Sequence, residues 1–213
     1  MLRLLARVDI RRPYCYRKAI SLGKDQPRIF IAEHSMTEEL SGEILAPALR
    51  VINQLETERL IGGYAIGGSF SLIFYGEAFT TDDVDIFCHI TQGKGSLLVS
   101  LSPIYERLNE LGFLPDGEGI RIHGVKIQFL LPMTELGNEA MITASQTTIE
   151  GVPTRVFDFE HALAMKAATG RAKDWGHIGI AMESGEPDMN KLKDILTRYN
   201  LLRSWTKHGP PID

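Results

Sequence analysis

The chain lacks what would mark a membrane protein, a disulfide scaffold or a zinc protein. No run approaches the ~18 consecutive apolar residues that cross a bilayer as a helix. Two cysteines, Cys15 and Cys88, are too few for a disulfide framework and have no metal-ligand spacing. That usage suits a reducing, cytoplasmic setting. The six histidines, at 34, 89, 123, 161, 177 and 208, form no HxH or HExxH pattern, and there is no CxxC. Zinc is therefore not expected. Two phosphate-binding signatures also fail on spacing. "GKGS" at Gly93 to Ser96 has Gly95 where a Walker A loop needs Ser or Thr, and Cys88 where its first glycine belongs. The glycines of "GGYAIGG", at 62, 63, 67 and 68, are wrongly placed for a dinucleotide fingerprint.

What is present is ordinary for a folded chain: 213 residues, 44% hydrophobic and 23% charged, enough for one large domain or one domain with appendages. The net charge of -4 conceals an asymmetry. Residues 1–35 carry eight Lys or Arg against three Asp or Glu, a net +5, which leaves -9 for the remainder. A body that acidic binds nucleic acid poorly without local basic patches or the basic arm. The arm itself shows no periodicity. It reads as a nucleic-acid or membrane-surface contact, as a transit-like leader, as a poorly packed, disordered tail, or as a segment ahead of a translation start at Met36. A secretory signal is disfavoured because Arg7 and Asp9 break "LLA" at once.

Helical spacing of Leu40, Ile44, Leu49, Ile52 and Leu55 predicts a helix over Thr37 to Thr57. Pro47 either kinks it or opens a second helix. Tyr64 to Ile66 reads as a buried strand, followed by a glycine turn and a helix over Ser69 to Tyr75 with Ser69 as N-cap. Val84 to Ile90 is a second strand, and Ser102-Pro103 opens a helix stopped by Gly112. Ile120 to His123 and Val125 to Leu131 form a hairpin around Gly124, with a weaker helix over Thr134 to Ser145 after it. Thr147 to Glu150 and Thr154 to Phe157 flank Gly151 as another hairpin. Asp158 caps a helix to Thr169, Gly170 stops it, and helices follow over Ala172 to Glu183 and from Asp188. The expected fold is mixed α/β (α+β): a small mixed sheet flanked by helices. We divide it as 1–35 extension, 36–157 core and 158–213 C-terminal helical subdomain.

One stretch carries chemistry: "AIGGSFSLIFYGEAFTTDDVDIF", Ala65 to Phe87. Alternation along a strand puts Asp83 and Asp85 on one face and Val84 and Ile86 on the other. Two adjacent carboxylates repel unless water or a cation compensates. Mg²⁺ is the natural occupant, being commonly held by one or two carboxylates plus substrate phosphates. Gly67-Gly68 gives a sharp turn with no side chain in the way, and Ser69 adds a hydroxyl at a helix start that favours anions. Each half alone has a bland reading, as a geometric turn or as a solvated acidic face. Joined in strand–GG–helix–strand–DxD order, they read as one site.

Those residues resemble the nucleotidyltransferase superfamily, the polymerase-β-like enzymes, whose motif is G[GS] followed by Dh[DE]h. Gly67-Gly68-Ser69 and Asp83-Val84-Asp85-Ile86 match it. Thr81-Asp82-Asp83-Val84-Asp85 and "EHALAMKAATGRAKD", Glu160 to Asp174, are similar to minimal bacterial members of the AbiEii-like type. The likeness spans about residues 45–205. It implies transfer of a nucleoside monophosphate from a nucleoside triphosphate to an acceptor hydroxyl on RNA, protein or a small molecule. Asp83 and Asp85 would hold Mg²⁺ (or Mn²⁺), Gly68 and Ser69 would touch the phosphates beside Gly67, and Lys166 would reach the triphosphate. A solvent-facing Lys166 is the alternative. Arg171, Lys173 and Asp174 either contact nucleotide or acceptor, or cap helices and pair with one another.

The chain departs from that pattern at the third carboxylate. The strand "GVKIQFLL" offers Gln128 there. Glutamine lends a carbonyl oxygen but neither a charge nor a base. Glu77, Asp82, Asp116 and Glu118 are other acids within reach in sequence, none favoured by position. Three readings follow: a magnesium-dependent nucleotidyltransferase; a catalytically weakened nucleotide-binding regulatory protein; and an interaction protein of toxin–antitoxin type, with a protein partner on the arm and the tail "LLRSWTKHGPP".

Overall fold

A computed structural model describes residues 3–4, 39–40, 42–76, 81, 83–91 and 100–212. Most of the basic arm, together with Glu77, Asp82 and the GKGS segment, lies outside the described residues. A short parallel pair, β1 (Arg3–Leu4) and β2 (Glu39–Leu40), precedes helix α1 (Gly42–Thr57). The helix therefore begins later than its apolar spacing suggested, and Pro47 lies inside one continuous helix.

The strands β3 (Ile61–Ile66), β4 (Val84–Ile90), β5 (Leu114–Asp116), β6 (Gly119–Ile122), β7 (Val125–Leu130), β8 (Ser145–Ile149) and β9 (Val152–Val156) form one mixed sheet. Its order is β5-β6-β7-β4-β3-β9-β8. β4 runs antiparallel to β3 and parallel to β7, and β3 runs parallel to β9. The helices are α2 (Gly68–Leu72), α3 (Ser102–Glu110), α4 (Glu135–Thr143), α5 (Phe159–Thr169), α6 (Ala172–Ser184), α7 (Met189–Arg198) and α8 (Leu202–His208). None is long and apolar enough to cross a membrane among the described residues. The mixed sheet flanked by helices is the architecture expected from the pattern.

Alternation sorts the strand residues onto two faces. Tyr64, Ile66, Val84, Ile86, Ile127 and Phe129 join a core with Leu45, Leu49, Ile52 and Leu55 of α1 and Ile104 and Leu108 of α3. Ala65 and Phe87 face the other way, into a second core with Leu163, Ile178, Leu192, Ile195 and Trp205 of the later helices. Asp85 lies between Val84 and Ile86, so it shares the second face with Phe87. That face also receives α5, whose residues are buried nearly all round.

Side-chain caps and one buried polar network fix the helices over this face. Asp158 caps α5 by accepting from the His161 amide at 2.9 Å, and Gly170 ends it in a left-handed turn. His161 is buried. Its Nδ1 stands 2.8 Å from Asp158 Oδ1 and its Nε2 3.1 Å from Glu139 Oε1. Lys191 pairs with Asp158 at 3.0 Å, and Arg198 with Glu139 at 2.6 Å. One ring thus joins α4, the start of α5 and α7. Burial opposes its charge, but the hydrogen bonds and charges of Asp158 and Glu139 outweigh burial and raise its pKa.

A raised histidine pKa stabilises fully below the unfolded value, about 6.5, and the contribution fades as pH rises through the folded value. His161→Gln is expected to lower unfolding free energy by about 3 kcal/mol at pH 6, as breaking a buried ion pair does. The gap to the wild type should shrink as the pH is raised to 9. Urea denaturation across that range checks both the size and the slope.

Candidate functional site

The site is built where β3 turns into α2. The Gly67 amide donates to the Asp85 carbonyl at 2.9 Å, extending the β3–β4 ladder by one residue. A Cβ on Gly67 would stand 2.5 Å from the Phe87 ring and 2.8 Å from Phe157. Gly68 has φ +60°, and a Cβ there would overlap Asp85 Oδ2. The glycines thus have a reason sharper than an open turn. They let the backbone lie directly on Asp85, and any side chain at Gly68 would displace that carboxylate. The two ends of the Ala65–Phe87 stretch are therefore in contact.

The helix after this turn is shorter than its apolar pattern suggested, ending at Leu72, and Ser69 is not its cap. Gly67 occupies the cap position, with no side-chain hydrogen bond. Ser69 lies within the first turn, and its hydroxyl is drawn sideways to the α5–α6 junction. There Lys166 Nζ donates to Ser69 Oγ at 2.6 Å and to Asp174 Oδ1 at 2.9 Å. Lys166 is 6% exposed and Asp174 fully buried, which excludes a solvent-facing Lys166.

Arg171 occupies the N-cap position of α6 without a side-chain cap bond, and it pairs with Asp174, as one of the two readings of these residues had it. Its Nε donates to Asp174 Oδ2 at 2.8 Å. Burial alone would raise the Asp174 pKa; hydrogen bonds from Arg171 and Lys166 reverse this and hold it down at about 2. A charged carboxylate is thereby fixed beside Lys166.

His177, one helical turn beyond Asp174, stands with Nδ1 3.1 Å from Ser69 Oγ. Its pKa is lowered, first by burial and then by Lys166. Sequence reasoning passed over it because it belongs to no metal-ligand pattern. Its one local signal is the i,i+3 spacing from Asp174, which puts both on one helix face.

At the acidic end, β4 starts at Val84, so Asp83 sits just before the strand and Asp85 within it. Thr81, itself buried, donates its hydroxyl to the Asp83 carbonyl at 3.1 Å. Burial pushes the Asp85 pKa up to about 6, and Asp83 pushes the same way. Lys166, Arg171 and Lys173 pull it down. The two aspartates thus repel one another within the field of all three cations of the α5–α6 junction.

Gln128 on β7 is in register with Asp85 on β4, on the same face. Asp116 is ion-paired with Arg121 in the β5–β6 hairpin, and Glu118 lies in its turn, both at the far end of the sheet order. Among the described residues no three His, Cys, Asp or Glu gather as a metal cluster. A divalent cation fits this donor set as a two-carboxylate ion. Asp83 and Asp85 supply hard oxygens whose mutual repulsion a cation would relieve, and the remaining ligands would come from water or phosphate.

The raised Asp85 pKa means that its charged form costs stability, a penalty that grows as pH rises from about 4 to about 6 and then levels off. In metal-free buffer, Asp85→Asn should make the protein more stable at pH 7.5 by about 2 kcal/mol, with little difference at pH 4. Paired denaturation curves in a chelating buffer test this.

No protein-family profile matches the chain. No curated protein sequence matches it either. One solved structure similar to it is that of an antigenic nucleotidyltransferase-like protein from Paracoccidioides brasiliensis, with 16% identity and a TM-score of 0.47, over 78% of this chain and 94% of that one.

Proposed function

We propose that the chain is a nucleotidyltransferase of the polymerase-β-like superfamily, of the minimal AbiEii-like type. In this reading it moves a nucleoside monophosphate from a nucleoside triphosphate to an acceptor hydroxyl. One observation carries it: Gly68 lies on Asp85, so the Ser69–Lys166 pair and the Asp83–Asp85 pair are joined through one turn. A triphosphate needs both, cationic donors for its outer phosphates and a metal-holding acidic pair near the reacting one.

Asp83 and Asp85 hold the cation, Mg²⁺ or Mn²⁺. When bound, it supplies positive charge to the phosphates and to the oxygen that leaves. Ser69 and Lys166 bind and orient the outer phosphates, and Arg171 and Lys173 add to the field that draws the nucleotide in. In the transfer, the acceptor oxygen bonds to the α-phosphorus, the bond from that phosphorus to the bridging oxygen breaks, and pyrophosphate leaves. The acceptor's proton passes to solvent or to the acceptor's own surroundings, because Gln128 takes up no proton. The acceptor class, RNA, protein or small molecule, is left to the labelling experiment, and the setting is cytoplasmic.

Gln128 favours a second reading, a nucleotide-binding regulatory protein with weak turnover, since the position in register with Asp85 carries no charge. Incubation with each labelled triphosphate, Mg²⁺ or Mn²⁺ and cell extract separates the two. The transferase reading expects a labelled acceptor, lost at least 100-fold in Asp85→Asn, an estimate on the order of removing a preorganised charge. Binding without labelling, together with gain of labelling in Gln128→Asp, supports the regulatory reading. Neither binding nor labelling defeats both.

A further inference from the structure

The hydrogen-bond polarity around Ser69 has a consequence for how phosphate is admitted. A serine hydroxyl has one proton to donate and two lone pairs to accept with. Lys166 Nζ is a donor only, so at 2.6 Å it occupies one lone pair of Ser69 Oγ. The second neighbour is His177 Nδ1 at 3.1 Å. If Nδ1 carries no proton, it must accept the hydroxyl proton, and Ser69 then has nothing left to give a phosphate oxygen. If Nδ1 carries a proton, it fills the second lone pair and the hydroxyl turns outward as a donor. An ionised phosphate oxygen only accepts, so Ser69 serves as a phosphate ligand in the second state alone.

The charges around His177 decide which state prevails. Lys166 on α5 and Arg171 and Lys173 on α6 oppose a charge on the ring, and Asp174 on α6 favours it. Burial adds to the opposition, and the balance lowers the ring's pKa. In the free protein the ring is therefore neutral near neutral pH, and while its one proton sits on Nε2 the bare Nδ1 takes the Ser69 proton. A triphosphate arriving at Ser69 and Lys166 brings several negative charges and reverses that balance.

We propose that His177 is a positioning residue whose neutral ring keeps its proton on Nε2 in the free protein and which takes up a second proton as a nucleoside triphosphate binds, turning an Nδ1–H onto Ser69 Oγ and so releasing the Ser69 hydroxyl to the phosphate. The proton balance is simple. One proton enters from solvent onto the ring, the Ser69 proton moves from Nδ1 to a phosphate oxygen as a hydrogen bond, and no covalent bond changes. Ser69 Oγ ends with both lone pairs and its proton engaged. The proposal rests on the reading that Ser69 and Lys166 receive phosphates, and it adds that this admission depends on pH.

The test is calorimetry with Mg²⁺ and an α,β-methylene nucleoside triphosphate, which binds without turnover. Titration at pH 7.5 in two buffers of different ionisation enthalpy counts the protons exchanged. The wild type is expected to take up close to one proton more per nucleotide than His177→Gln, whose side-chain amide can donate to Ser69 without a proton from solvent. Wild-type affinity should fall up to tenfold per pH unit above neutrality relative to that variant. Should the variant fold poorly, the His177 ring resonances of the wild type, followed by NMR with and without nucleotide, should titrate at higher pH in the complex. Nucleotide binding with no difference in proton uptake, or an unchanged ring titration, overturns the coupling and leaves the phosphate site standing. Absence of nucleotide binding overturns both.

Discussion

A buried ammonium group holds this structure's site in place. Lys166 is nearly inaccessible, and a cationic side chain so placed has to be paired and hydrogen-bonded. Asp174 and Ser69 meet that requirement from opposite sides, one from the start of α6 and one from the turn after β3. The contact therefore sets more than local geometry. It fixes the α5–α6 junction against the sheet at the point where Gly68 rests on Asp85. Gly170 supplies the left-handed turn that ends α5, and Arg171 stands at the N-cap position of α6 while holding the second oxygen of Asp174.

The electrostatics follow from that arrangement. Two aspartates that repel one another share the field of Lys166, Arg171 and Lys173, and Asp174 is itself neutralised by its own pairs. Asp83 and Asp85 thus keep a repulsion that no ion pair of their own relieves among the described residues. The second polar cluster, centred on His161, is unlike this one. Its carboxylates and cations satisfy one another across α4, α5 and α7, which suits a structural joint.

Much of the fold was legible because its signals are local. Asp158 and Gly170 bracket α5 as a cap and a stop should, and the hairpin around Gly124 follows from alternation and turn chemistry. Order and spacing joined Gly67–Ser69 to Asp83–Asp85, and Gly68 does lie on Asp85. The misses are non-local or too short to leave a pattern. β5 has three residues, one of them Pro115, with Leu114 and Pro115 exposed, so no alternation marks it. Lys166 could not be placed because α5 is buried nearly all round and offers no polar face to compare. His177 meets Ser69 across 108 residues, and only the packing of α6 on α2 brings them together. Ser69 looked like a cap because serine is a preferred N-cap type, whereas the helix already begins at Gly68.

The central claim is that the turn after β3, the acidic pair of β4 and the α5–α6 junction act as one nucleotide site. The most direct measurement is amide chemical-shift mapping by NMR with Mg²⁺ and a non-hydrolysable nucleoside triphosphate. The account predicts that the largest shifts fall together on Gly67, Gly68, Ser69 and Asp85 and on the segment from Lys166 to His177. Shifts confined to other parts of the molecule, or none at saturating nucleotide, would contradict it.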